Sequence, residues 1–256
     1  MLMISTHTLT WSVTDNVAVQ SCIRTISTHT LTWSVTCHLV STAIRKRIST
    51  HTLSPAKKME QKFGIPSIRV PGLFVGATDT TKFVRQVAEA MHLDQEIVDK
   101  VIAAEEEYVY DYLAQSVGVV SWKRFAVVAD ANNAVGITRY LANDFSFTPV
   151  LVIVSEPLFR QEDKDRIVAQ IEDLEYAKPP KVIFASDQYE INQALREEEE
   201  EITLLIGSSN EREVALEKDI QFILAAFPMN ERLVFNRTYA GYRGSLTFTE
   251  DLYDNL

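Results

Sequence analysis

From Arg124 onward the chain alternates between short apolar runs and longer segments whose apolar residues recur every three or four positions. RFAVVA (124–129) is an uninterrupted apolar run of strand length. NAVGITRYLANDF (133–145) places Val135, Ile137, Tyr140 and Leu141 on or near one helical face, with Asn132 positioned to cap it. TPVLVIVS (148–155) is a second strand, with Pro149 at its entry, where a missing N–H is tolerable. RQEDKDRIVAQIEDLEY (160–176) reads as a charged amphipathic helix, stopped by Pro179 and Pro180. KVIFAS (181–186) is a third strand, followed by a helix over 188–198 that runs into Glu197–Glu201. ITLLIGS (202–208) is a fourth strand, and its Gly207 suits a strand-to-helix turn. A short helix over 210–220 and a fifth strand, FILAAF (222–227), closed by Pro228, complete the series. Strands without polar alternation are buried on both faces. The pattern therefore predicts an α/β fold, a Rossmann-like parallel sheet with helices on both faces.

Upstream, FGIPSIRV (63–70) reads as a strand entered by a turn. ATDTTKFVRQVAEAMHL (77–93) reads as a helix with Thr78 or Asp79 as its cap, and residues 94–116 as a longer helix with an acidic middle, Glu105 to Glu107. This gives residues 54–120 as a strand and helices leading into the core, a partial domain, and residues 121–256 as the Rossmann-like C-terminal domain.

Residues 1–53 follow a different rule. ISTHTLTWSVT occupies 4–14 and again 26–36, and ISTHTL begins a third copy at 48–53, a fixed period of 22 residues. Solenoid repeats keep core and turn positions and let the surface drift. Here the first two copies agree at every residue, polar ones included, while the intervals DNVAVQSCIRT and CHLVSTAIRKR are unrelated. Identity without regard to burial resembles repeat and spacer DNA of a CRISPR array read in frame. The competing reading is a small β-repeat, since Leu9, Trp11 and Val13 alternate with Thr and Ser. Either way the arm is irregular or β-prone, and unpaired segments of that kind are prone to aggregate.

Composition separates arm from body. The arm has no Gly or Pro and carries Asp15 against Arg24, Arg45, Lys46 and Arg47. The chain's net charge of −10 therefore falls on residues 54–256, where it is near −13. That acidity excludes non-specific nucleic-acid binding. Both cysteines, Cys22 and Cys37, lie in the arm with His7, His29, His38 and His51; the body has no cysteine and a single histidine, His92. The repeating histidines recur because the whole unit recurs, and do not read as a metal array. No membrane-length apolar stretch, targeting signal or disulfide framework is present, which points to the cytoplasm.

Familiar catalytic signatures are missing. The turn after Ala129 is Asp130-Ala131-Asn132-Asn133, without the glycines of a dinucleotide fingerprint, and no Walker A loop or nucleophile elbow occurs. Asp130 and Glu156 follow strands where α/β ligands bind, and read as helix caps. His92 reads as a solvent-facing helix-end residue, and Glu197–Glu201 as a solvated helix end and loop.

The segment FPMNERLVFNRTYAGYRGSLTFTEDL (227–252) is more specific: a strand end, a loop, Tyr239-Ala240-Gly241-Tyr242-Arg243-Gly244, then a helix. Together with FGIPSIRVPGLFVGATDTTKFVRQVAE, SWKRFAVVAD and ITLLIGSSNEREVALEKDIQFILAAFP, in that order and spacing, it resembles the nitrogenase component 1 and nitrogenase-like oxidoreductase family, more its β-like members. The resemblance covers roughly 55 to 256. It implies the last part of a subunit built from three Rossmann-like domains, whose role is electron transfer and substrate reduction with iron–sulfur clusters. It also implies a second nitrogenase-like subunit as partner, in a hetero- or homo-oligomer. It marks Tyr239, Gly241, Tyr242, Arg243, Gly244, Thr78 and Asp79 as structural motif positions, and none as catalytic. In the family the cluster-holding cysteines come from upstream, and in its cofactor-bearing α-type chains a histidine ligand stands where this chain has Ala240. The expectation is a truncated subunit, its start replaced by the repeat arm, with no cofactor of its own and no activity alone. Two alternatives stay open: a stand-alone module for a nucleotide or small anion at the turns after Ala129, Ser155 and Gly207, or a subunit-interaction protein.

Overall fold

The computed structural model describes residues 2–3, 35–37, 46–49, 61–64, 67–69, 72–116, 122–158, 160–234 and 237–254. Most of the repeat arm, including Leu9, Trp11 and Val13, lies outside them. The chain divides into two units: 1–112 with 238–246, and 113–237 with 247–256.

In the first unit, four short strands form a sheet in the order β1-β2-β3-β4: Leu2–Met3, Val35–Cys37, Lys46–Ser49 and Ser67–Arg69. β1, β2 and β3 pair antiparallel, and β4 lies parallel to β3. Helix α1 (Gly76–Ala90) buries Phe83, Val84, Val87 and Ala88. Phe74, just before it, stacks on Phe83 with ring centroids 4.0 Å apart. Helix α2 (Gln95–Ser116) turns Val98, Val101, Ile102, Glu105 and Val109 inward, the three-and-four spacing of one helical face. α1 begins one residue before the sequence reading. Its N-cap is Val75, which gives no side-chain bond, so neither Thr78 nor Asp79 caps it. Both sit inside the first turn.

In the second unit, five strands form one parallel sheet: β5 (Arg124–Ala129), β6 (Thr148–Val154), β7 (Lys181–Phe184), β8 (Leu204–Gly207) and β9 (Gln221–Leu224). The order is β7-β6-β5-β8-β9. Every pair is parallel. Ala126 and Val128 of β5 point to one face, into a cluster with Leu151, Ile153, Leu205, Ile191, Leu195, Val214 and Ala215. There α5 (Gln188–Glu197) and α6 (Arg212–Glu217) cover the sheet. Phe125, Val127 and Ala129 take the other face by the two-residue period, and are as fully buried. α3 (Ala131–Asn143) packs on β5 and β6, with α4 (Gln161–Glu172) beside it. Tyr140 of α3 meets Phe248 edge-on at 5.8 Å and bonds Thr249 at 3.0 Å; both belong to α7 (Gly241–Tyr253). Each fully buried Val, Leu, Ile or Phe contributes about 1.5–3 kcal/mol, so the double-sided burial of β5 makes it the sheet's anchor.

The Rossmann-like arrangement agrees with the sequence reading, and the five strands fall within three residues of their expected bounds. α4 stops at Glu172, four residues short of the expected Tyr176. Arg139, 2% exposed, donates to the carbonyls of Gln170 and Asp173 and so holds the helix end open at that point.

Candidate functional site

Tyr239–Gly244 enters α7 through a backbone that only glycine tolerates well. Gly241 has φ +82°, and its N–H donates to the Phe74 carbonyl at 2.8 Å. Gly244 lies so close to the preceding turn that an added Cβ would sit 2.6 Å from the Tyr239 carbonyl carbon. Between them, Tyr242 is fully buried and its hydroxyl lies 2.5 Å from Thr81 Oγ1. Thr81 spends its single proton on Glu106 Oε1, also at 2.5 Å, so Tyr242 is the donor to Thr81. Burial pushes the Tyr242 phenol well above the ordinary tyrosine range. Arg243 forks onto Glu105 at 3.1 and 3.2 Å and lies 4.7 Å from the Tyr108 ring.

The motif thus pins the start of α7 to α1 and α2 within the first unit. Ala240 is fully buried. Thr78 is partly buried and Asp79 is 7% exposed. Thr81, Glu105 and Glu106, which complete the cluster, escaped the sequence reading. One signal was available: Glu105 falls on the apolar stripe of α2, and a carboxylate there must find a cation.

The second candidate is the crevice of the parallel sheet. From β5 the chain proceeds to β6 and β7 on one side and to β8 and β9 on the other, and such a switch point is where open α/β sheets bind ligands. Its donors are already engaged by the protein's own carboxylates. Asp130 is the N-cap of α3, taking the N–H groups of Asn132 and Asn133, so the expected Asn132 cap is corrected and the expected role of Asp130 holds. Glu156 Oε2 accepts from Ala131 N–H at 3.4 Å, and so serves the neighbouring helix's first turn. Glu211 is 1% exposed. Its Oε2 accepts from Ser208 N–H at 2.7 Å and Ser208 Oγ at 2.6 Å, and its Oε1 from Gln188 at 2.7 Å. A Cβ on Gly207 would lie 3.0 Å from that carboxylate. Glu211 therefore occupies the position over the turn that a bound anion would need. Sequence reading saw the glycine and missed its occupant, which lies four residues downstream.

The remaining candidates are surface features. His92 is exposed just after α1, with φ +54°. Glu197, Glu199 and Glu201 are exposed, as expected of a solvated run. Glu198 departs from that: its side chain is 8% exposed and pairs with Lys181 at 3.0 Å, while Glu200 pairs with Arg124. Burial alone would raise the Glu198 carboxyl, but the Lys181 hydrogen bond and charge, with the N–H groups of Glu200 and Glu199, outweigh it and hold it below its ordinary value. Among the described residues no group of three or more His, Cys, Asp or Glu could hold a metal ion, and no helix is long and apolar enough to cross a membrane.

Residues 39–256 match the family model for nitrogenase component 1 type oxidoreductases. The chain is 22% identical over 201 residues to the nitrogenase molybdenum–iron protein β chain of Clostridium pasteurianum, covering 77% of this chain and 41% of that one. It is 26% identical to the corresponding β chain of Methanothermobacter thermautotrophicus, over 75% and 39% of the two lengths. It is 22% identical to the nitrogenase iron–iron protein β chain of Rhodobacter capsulatus, over 78% and 42%. The solved structure of nitrogenase Cp1 at pH 6.5 superposes with a TM-score of 0.65 at 20% identity, over 82% of this chain and 44% of that one. The chain spans less than half the length of the relatives it matches.

Proposed function

The chain belongs to the nitrogenase component 1 type oxidoreductases, and from that premise we propose that residues 54–256 serve as the C-terminal scaffold of a component 1-like subunit without holding a redox centre themselves. The observation that carries this is the donor set. Iron–sulfur clusters are held by cysteine thiolates, and residues 54–256 contain none. The sole histidine of that span, His92, stands exposed at a helix end. At the position where the family's cofactor-bearing α-type chains carry a histidine ligand, the buried Ala240 offers only a methyl group. These residues do not fit a thiolate-held cluster. What they do fit is a structural task. Tyr239–Gly244 fastens the start of the last helix to α1 and α2 within the first unit, and the parallel sheet closes its own turns with carboxylates.

In this reading residues 54–256 have no redox activity of their own. Cluster-bearing domains and a second nitrogenase-like subunit would supply the redox chemistry. The test is anaerobic iron and sulfide reconstitution of the whole chain beside a Cys22→Ser/Cys37→Ser variant, followed by iron analysis and visible absorption. We expect substoichiometric iron and no cluster band in either. Stoichiometric iron with a cluster band in the double variant would overturn the proposal, because the ligands would then lie in residues that the donor argument excludes.

A further inference from the structure

The last strand of the first unit's sheet has a single neighbour. In the order β1-β2-β3-β4, β4 (Ser67–Arg69) pairs with β3 (Lys46–Ser49) and, among the described residues, with no other strand. The pairing is parallel: Arg47 stands opposite Ser67, Ile48 opposite Ile68 and Ser49 opposite Arg69. β3 straddles a boundary in the sequence. Lys46 and Arg47 end the second interval, and Ile48 and Ser49 open the third repeat copy, ISTHTL. The arm that composition separates from the body is thus joined to it by a ladder. The family match agrees from an independent direction, because it begins at residue 39, upstream of Ser54, where the body was expected to start. Residues 50–66 between the two strands give the length that a parallel crossover requires, and 61–63 are helical. Downstream, β4 leads to Leu73, Phe74 and Val75, all buried. The Phe74 carbonyl accepts from the Gly241 N–H, and Val75 bridges Gly241 in parallel.

We propose that the edge of β4 is an acceptor site for one extended, parallel segment, and that Lys46–Ser49 is its occupant, a strap from the repeat arm that completes the first unit. Strand addition takes its affinity from main-chain hydrogen bonds. A segment whose sequence repeats without regard to burial can therefore serve, provided that it is extended. Ile48, Thr50 and Thr52 are β-branched, which favours that. A three-residue strand without a partner does not persist in water. The strap thus fixes where the chain enters Leu73–Val75 and, through the Phe74 carbonyl, where Gly241 starts α7. It lies upstream of the span assigned to the scaffold, and iron content does not bear on it.

Hydrogen–deuterium exchange on the whole chain tests it, with the amides of β5 as the internal reference. Proline is not tolerated in a central strand, and β3 lies between β2 and β4. Ile48→Pro should therefore speed exchange of the 67–69 amides by about tenfold or more and leave those of 124–129 unchanged. Excess synthetic peptide IRKRISTHTL, the sequence of residues 44–53, should restore their protection in that variant, and a scrambled peptide should not. A second measurement does not depend on how the proline variant folds. In a Cys22→Ser/Cys37→Ser background, Ile48→Cys/Ile68→Cys should be joined within the chain by a short bismaleimide. The proposal is overturned if the 67–69 amides of the wild type exchange as fast as an unfolded chain, if Ile48→Pro leaves them unchanged, if the peptide fails to restore them, or if no cross-link forms.

Discussion

Gly244 shows how little room the C-terminal motif leaves. An alanine methyl there would lie 2.6 Å from one backbone atom of Tyr239 and 2.8 Å from another, and neither can rotate away. Gly244→Ala should lower stability by about 1–3 kcal/mol, seen as a lower urea midpoint at unchanged m. Tyr242 contributes a pH dependence of its own. Its phenol keeps its proton in the folded state beyond the ordinary value of 10.0, whereas the unfolded chain releases it there. Stability should thus be insensitive to this group below about pH 10 and fall as pH rises further. Tyr242→Phe should flatten that alkaline decline at a cost of about 1 kcal/mol near neutrality, from the lost bond to Thr81. At this scale the sequence was only partly legible. Tyr242 and both glycines could be picked out by resemblance. Thr81, which meets Tyr242, and Glu105, which meets Arg243, lie more than 130 residues away along the chain, at a separation that local pattern does not encode.

Among the elements, α3 has a specific start. Asp130→Ala removes the acceptor for two N–H groups and should cost about 0.5–2 kcal/mol, measured by thermal unfolding. Asp130→Asn should recover most of it. The three central strands of the second unit, β5, β6 and β8, were readable because they are buried on both faces and therefore written in largely apolar residues, and the half-buried edge strands β7 and β9 keep short apolar runs. Their ends ran long where apolar residues continue past the ladder. Ala225 and Ala226 both donate to the Gly207 carbonyl, closing β9 three residues before the expected Phe227. The early end of α4 was illegible for a different reason. Arg139 and Asn143 of α3 bond residues 170, 173 and 175, a tertiary decision that the charged periodicity of 160–176 does not record.

Across the whole molecule, the parallel sheet carries the family's architecture while its crevice is filled from within. Asp130, Glu156 and Glu211 take the N–H groups that a phosphate would use, and would repel it. Nucleotides or inorganic phosphate at millimolar concentration should therefore shift the melting temperature by less than a degree. A shift of several degrees would restore the reading as a small-anion module. Glu211→Ala, which leaves Ser208 unsatisfied, should lower stability by about 1–3 kcal/mol.

The strand order also has a consequence during synthesis. β5, at the centre, finds β6 almost at once, but its other neighbour begins 79 residues later, where Arg124 meets Thr203. At ribosomal speeds of about 5–20 residues per second, that edge stays bare for about 4–16 s. The nascent chain passes those seconds with its central strand half-dressed, which makes this interval the one a chaperone would have to guard.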